Sequence, residues 1–340
     1  MLRDGGAAAN RARCIHPDPA QNARMNTPLP LATADTRRQP TVALALGSGG
    51  AKGLAHIGVI EELEAQGYRI TAIAGSSMGA LIGGIHAMDK LDVYRDWVSA
   101  LAKFDVLRMV DWTFSGGGLI KGEKIIGTLR GLIGGALIEE LPLAFTAVAV
   151  DLDREREVWL SRGPLFDAIR ASIAIPTVFR PHHLDGRRLV DGALLNPVPV
   201  TPLIREPADY LIAVSVDGAA TEPSPPPPAG EETADAPGYR QRIGAFIGRL
   251  MPHGGNGDAT REPGALELLT QAMDLMQANL ARLRLAAYEP DLLIQLPRNM
   301  ASPYEFYRAR ELIELGRLAA REALAHWPRG HTPESAKERP

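Results

Sequence analysis

An α/β fold, with a parallel sheet carrying helices on its faces, is what the sequence predicts, and three observations carry the expectation. Residues 41–46 are a short run of β-branched and small apolar side chains leading into a glycine-rich loop and then a helical pattern. Residues 70–74 repeat that arrangement, again running into glycines and a helix. Further strand-like runs at 144–150, 210–216 and 292–296 are separated by helical stretches. Apolar runs of this length read as strands buried on both faces, and strands that alternate with helices pair in parallel.

The whole chain sets the bounds. Its 340 residues, 45% of them hydrophobic, suffice for a sizeable core. A formal charge of −3 makes no electrostatic case for nucleic acid, and a short run such as Arg187-Arg188 does not change that. The single cysteine, Cys14, excludes an internal disulfide and suits a reducing compartment. No apolar run approaches the ~20 residues of a membrane span, and the N-terminus lacks a signal-peptide core. The expectation is a cytoplasmic protein that leaves room for peripheral membrane contact, at the inner membrane face.

In order along the chain, residues 1–40 lack periodicity and read as a disordered leader, with Met25 as an alternative translation start. The first strand, 41–46, is followed by Gly47-Ser48-Gly49-Gly50-Ala51-Lys52-Gly53 and a helix to about Gln66. That helix has Ile57, Ile60 and Leu63 on one face and Gly67 at its C-terminal cap. After the second strand, residues 89–138 are mostly helical, interrupted at 113–120 by a glycine-rich loop beside Trp112 and carrying Phe114, a lid or a surface turn. Residues 158–160 pair back onto the strand at 144–150. A short helix at 164–174 is stopped by Pro176. Asp185-Gly186 marks a tight hairpin that delivers Asp191-Gly192-Ala193 at its end. Residues 221–264, proline-rich and low in complexity, read as a disordered insertion. A helix at 266–286, a strand at 292–296 and a helix at 304–326 complete one domain over 41–326, with a tail at 327–340.

Three motifs carry chemistry. Gly75-Ser76-Ser77-Met78-Gly79 is a G-x-S-x-G pentapeptide between a strand and a helix, the setting of a nucleophile elbow. Its glycines let the turn tighten until the Ser77 hydroxyl is exposed at the tip, beside the free N–H groups of a helix N-terminus. Ser76 lies off the centre and is structural. The glycine loop at 47–53 fits neither dinucleotide nor P-loop spacing, because Lys52 stands where a glycine belongs and is followed by Gly53. Its other use is to aim backbone N–H groups at the oxyanion of an acyl transfer, and Gly49, Gly50 and Ala51 are the candidates, with the Met78 N–H as an addition. Lys52 holds the loop or attracts an anionic head group.

A serine nucleophile needs a base, and the usual template is histidine with an acid. His56 and His86 fall within helices, where packing or capping is the ordinary use. His182 and His183 precede the hairpin, His253 lies in the insertion and His326 at the end of the last helix. None stands in a loop after a strand near the C-terminus. Asp191 does end a strand, although in isolation an aspartate before glycine reads as a turn-former.

Taken together, residues 47–53, 75–79 and 191–193 resemble, in order and context, the patatin-like phospholipases, closest to the bacterial branch and to neuropathy-target-esterase-like proteins. Residues 54–59, 171–176 and 196–199 agree as flanks. The resemblance implies a three-layer α/β/α fold, no cofactor, no metal, and a Ser–Asp dyad without histidine: Ser77 as nucleophile and Asp191 as proton acceptor. Gly47, Ser48, Lys52, Gly53, Gly75, Gly79, Gly192 and Ala193 are the remaining motif positions. Ser48 departs from the family's first-loop glycine pattern, and Ala193 stands where many members have a second glycine.

The expected function is a serine lipid acyl hydrolase of the phospholipase or lysophospholipase type, with phospholipid or lysophospholipid as substrate partner. Two rivals make different demands. A carboxylesterase with a Ser–His–Asp triad needs one of the histidines to be essential. A lipid-binding regulatory module has the fold without turnover.

Overall fold

The computed structural model describes residues 38–102, 122–176, 178–221 and 265–327, and everything structural below refers to these. The leader, Met25, the glycine-rich loop with Trp112 and Phe114, the insertion from residue 222 to 264 and the tail from residue 328 lie outside the described residues.

Eight strands form one sheet: β1 (Thr41–Leu46), β2 (Arg69–Ser76), β3 (Ala144–Asp151), β4 (Arg156–Leu160), β5 (His182–Leu184), β6 (Arg187–Asp191), β7 (Tyr210–Gly218) and β8 (Leu292–Pro297). Hydrogen bonding runs in the order β5-β6-β3-β2-β1-β7-β8, with β4 also on β3. The pairs among β1, β2, β3, β7 and β8 are parallel, and the chain after the insertion rejoins the sheet through β8 alongside β7. The antiparallel members are β4, β5 and β6. Asp185 and Gly186 both have positive φ, 50° and 71°, as a two-residue hairpin turn between β5 and β6 demands.

The helices are α1 (Ala55–Ala65), α2 (Met78–Ala87), α3 (Leu91–Ser99), α4 (Glu123–Ile133), α5 (Leu165–Ser172), α6 (Ala265–Ala287) and α7 (Ala309–His326). The last begins later than its periodicity suggested, because residues 306–308 form a 3-10 turn first. The two faces of the sheet differ in residue size. On β1, Val42, Leu44 and Leu46 join the large core with α1, α2 and α7, while Ala43 and Ala45 face the other way. That second face, with Ala72, Ala74 and Ala213, is covered by Val198, Val200 and Leu203 and by Ala281 and Leu285 of α6. Strand alternation thus sorts large from small side chains, and helices lie on both faces in three layers.

One detail of register positions the site. Along Ala147–Asp151, one edge of β3 is occupied by β4. The opposite edge carries β2 as far as Val148, opposite Ser76, and then β6 from Ala149, opposite Asp191. A strand has two edges, so β2 and β6 must share one. The end of β2 therefore abuts the end of β6.

Candidate active site

Ser77 caps α2 with φ 55° and ψ −121°, a conformation that a side chain rarely adopts. Glycines on both sides make it reachable: a Cβ at Gly75 would collide with the Gly79–Ala80 backbone, and one at Gly79 with the Leu46 carbonyl. The elbow is held from outside as well. The Ser77 N–H donates to Ser172 Oγ at 2.9 Å, and Ser172 in turn donates to the Val148 carbonyl at 2.6 Å.

Ser77 Oγ donates to Asp191 Oδ2 at 2.5 Å, joining residues 114 positions apart. Asp191 Oδ1 accepts from the Ala193 N–H at 2.8 Å, and the Asp191 N–H donates to the Ala174 carbonyl at 3.0 Å. Gly192 between them admits no side chain, since a Cβ there would strike the Val148 carbonyl and approach Ser76 Oγ. Ser77 and Asp191 are both buried. Burial pushes the Asp191 carboxyl up to about 7, against the opposing pull of the hydrogen bonds from Ser77 and Ala193. Segment 172–174 thus grips both partners, one by a side chain and the other by a carbonyl. Sequence reasoning missed Ser172 as a support, for nothing local to it points 95 residues back to Ser77.

The glycine loop rises from the end of β1 beside this pair. Gly49 and Gly50 have φ of 152° and 57°, and their N–H groups have no acceptor among the described residues; the same holds for Met78 at the start of α2. Ala51 corrects the expectation. Its N–H donates to the Pro303 carbonyl at 2.8 Å, so it is committed to the segment between β8 and α7 and is not a free oxyanion donor. Other bonds tie the loop down as well. Ser48 N–H donates to the Pro197 carbonyl at 2.9 Å, the Lys52 ammonium pairs with Asp217 at 2.6 Å, and His56 Nε2 bonds the Gly47 carbonyl at 2.7 Å. Lys52, mostly buried, therefore holds the loop. Gly53 leaves space that the Met78 side chain fills.

The histidines sit elsewhere in the hydrogen-bond scheme. Burial pushes His56 down to about 4, so it is neutral and its Nε2–H donates to Gly47. His86 lies 3.6 Å from Glu64, and burial lowers its pKa too. Among the described residues no histidine bonds to Ser77 or Asp191; His253 lies outside them. No group of three or more metal-ligating side chains occurs among the described residues, and none of their helices is long and apolar enough to cross a membrane.

This fold and these motifs have known counterparts. A family model described as patatin-like phospholipase matches residues 44–204, which span the glycine loop, the elbow and Asp191. The chain belongs to the patatin-like phospholipase family, and so to the general class of lipid hydrolases. Its similarity within that class runs to NTE family proteins. One uncharacterized NTE family protein of Mycobacterium tuberculosis is 40% identical over 350 residues, covering 84% of this chain and 91% of its own. A second from the same species is 31% identical over 297 residues, covering 85% of this chain and 47% of its own. The lysophospholipase nte1 of Emericella nidulans is 28% identical over 183 residues, 52% of this chain and 12% of its own. VipD from Legionella pneumophila, at 14% identity and a TM-score of 0.41 over 85% of this chain and 67% of its own, is a looser likeness.

Proposed function

We propose that this chain is a serine acyl hydrolase of phospholipid or lysophospholipid esters that works through a Ser77–Asp191 dyad. The observation that carries the reading is the 2.5 Å hydrogen bond from Ser77 Oγ to Asp191 Oδ2 within a strained elbow. The carboxylate takes the Ser77 proton as Oγ attacks the ester carbonyl carbon. The carbonyl oxygen becomes the oxyanion and accepts from the Gly49 and Gly50 N–H groups, with Met78 N–H as a third donor. Removing one such donor typically costs about 3 kcal/mol of transition-state stabilisation. Asp191 then returns the proton to the leaving alkoxide, freeing the alcohol and an acyl-Ser77 ester. Water, deprotonated by Asp191, releases the fatty acid and restores the hydroxyl.

Asp191 suits the role because burial has raised its proton affinity to near neutrality, where a base both accepts and returns protons readily. Phospholipid and lysophospholipid are favoured as substrates by the family description and by the lysophospholipase among its relatives. The working place in this reading is the cytoplasm, peripheral to the inner membrane face. A fluorophosphonate probe is expected to label the native protein and not Ser77→Ala, and Asp191→Asn is expected to lose ester hydrolysis with its melting transition intact. Labelling that persists in Ser77→Ala moves the nucleophile elsewhere, and near-normal turnover by Asp191→Asn removes the dyad.

A further inference from the structure

The bonds that fix the glycine loop are of two kinds. Those from Ser48 and Ala51 join backbone to backbone, and His56 bonds a backbone carbonyl. The pair of Lys52 with Asp217, 2.6 Å apart, joins two side chains of opposite charge. Both are largely withdrawn from water, with 10% of the lysine side chain and 18% of the aspartate exposed. Among the described residues Asp217 is the ion-pair partner of that ammonium.

This pair stands directly behind the oxyanion donors. Lys52 closes a turn on Gly49, its N–H donating to the Gly49 carbonyl at 3.2 Å. That carbonyl belongs to the same planar trans peptide as the Gly50 N–H, so the two point in opposite directions. Whatever fixes Lys52 therefore fixes the direction of the Gly50 N–H. The start of the turn rests on the same strand. A Cβ on Gly49 would collide with Val216 Cγ2, so Gly49 lies against the residue before Asp217. Val216 and Asp217 thus hold the two ends of the turn, one by contact and the other by charge.

β7 departs from regular pairing at this point. Ser215 lies opposite Gln295 and Gly218 opposite Pro297, three steps on β7 against two on β8. The extra residue makes a bulge at 216–217, and a bulge re-aims the side chain beside it. Gly218 is pinned to β8 again. Its carbonyl accepts from the Arg298 N–H at 3.2 Å, and a Cβ there would strike the Leu296 carbonyl. The carboxylate is therefore presented from a fixed place in the sheet. Asp217 also lies beyond residues 44–204, so the match to the family does not include it.

We propose that Asp217 is a positioning residue: through Lys52 it sets the Gly49 and Gly50 N–H groups where the oxyanion of the ester develops. The inference rests on the reading of this site as an acyl hydrolase with these donors. Without the charge of Asp217 the buried ammonium loses its partner, and the loop must move to bring Lys52 to another acid or to water. Asp274 of α6, within electrostatic reach of Lys52, is one such acid. The donors then leave the place of the oxyanion. Ser77 and Asp191 keep theirs, because their own bonds run to Ser172, Ala174 and Ala193.

The test is steady-state hydrolysis of p-nitrophenyl butyrate by the native protein, Asp217→Asn and Asp217→Glu, each with its melting transition. Asp217→Asn is expected to lower kcat at least about tenfold with KM unchanged. Asp217→Glu, which restores the charge, is expected to recover much of the rate. An alkyl trifluoromethyl ketone forms a hemiketal with Ser77 whose negative oxygen meets the same donors. Its affinity for Asp217→Asn is expected to fall by the same factor as kcat/KM. A native kcat in Asp217→Asn overturns the proposal. So does a fall in kcat with ketone affinity unchanged, or a Glu variant no faster than the Asn variant. If Asp217→Asn does not fold, Lys52→Met cuts the tether from its other end: native kcat and ketone affinity there overturn the proposal, and a joint loss supports it. Absence of hydrolysis by the native protein, or hydrolysis that survives Ser77→Ala, sinks the acyl-hydrolase reading and this inference with it.

Discussion

Asp191 is buried beside a hydroxyl and a backbone N–H, with no cation among the described residues holding it charged, so burial raises its proton affinity to about 7. In the proposed dyad Asp191 is the base, and a base works only as the carboxylate. Ester hydrolysis is therefore expected to fall about tenfold per pH unit below about 7 and to level off above it, in kcat/KM for a soluble ester. A flat profile from pH 5 to pH 8 would contradict this. Ser172 extends the same test. Its hydroxyl holds the Ser77 N–H in a conformation that costs of order 1–3 kcal/mol to maintain. Ser172→Ala leaves that buried N–H without its acceptor, and is expected to lower kcat about tenfold with KM and the pH midpoint unchanged. Ser172→Thr, which restores the hydroxyl, recovers much of the rate. An Ala variant with normal kcat would make Ser172 ordinary packing.

At the scale of elements, α1 and α7 approach until their backbones touch. A Cβ on Gly58 would strike the Ile313 carbonyl, and one on Gly316 would strike the Ala55 carbonyl. The pair is reciprocal, and ion pairs border it: Arg317 reaches Glu61 and Arg321 reaches Glu62 at 2.8 Å. Gly316→Ala has no flexible neighbour to displace, so the helices must separate, and thermal unfolding is expected to register a loss of about 1–3 kcal/mol. An unchanged melting temperature would mean that α7 shifts freely along α1. Elements were also the best-read scale of the sequence. The elbow, the Asp185-Gly186 hairpin and the parallel start each arise from residues within a few positions of one another. The late start of α7 was not legible, because the helical spacing of side chains does not distinguish a 3-10 turn from the α-helix that follows.

For the whole molecule, the sheet is the frame that locates every group of the site. β1 is buried at all six positions, and β2 and β7 are buried along most of their length. Amide hydrogen exchange is expected to be slowest in these strands and much faster in the edge hairpin β5–β6. Comparable rates in both would mean that the hairpin unfolds only with the sheet.

What the sequence determined alone is what neighbours along the chain decide: a strand, a tight glycine-flanked turn and a helix around Ser77, and a hairpin ending in Asp191. Tertiary structure alone decided that these two meet. β2 and β6 take successive stretches of one edge of β3, a matter of register that no local pattern encodes. It likewise withdrew Ala51 from the oxyanion donors, because the Pro303 carbonyl that claims its N–H comes from a segment far along the chain. A backbone N–H looks alike in any glycine loop, and only the packed molecule determines which ones find a partner.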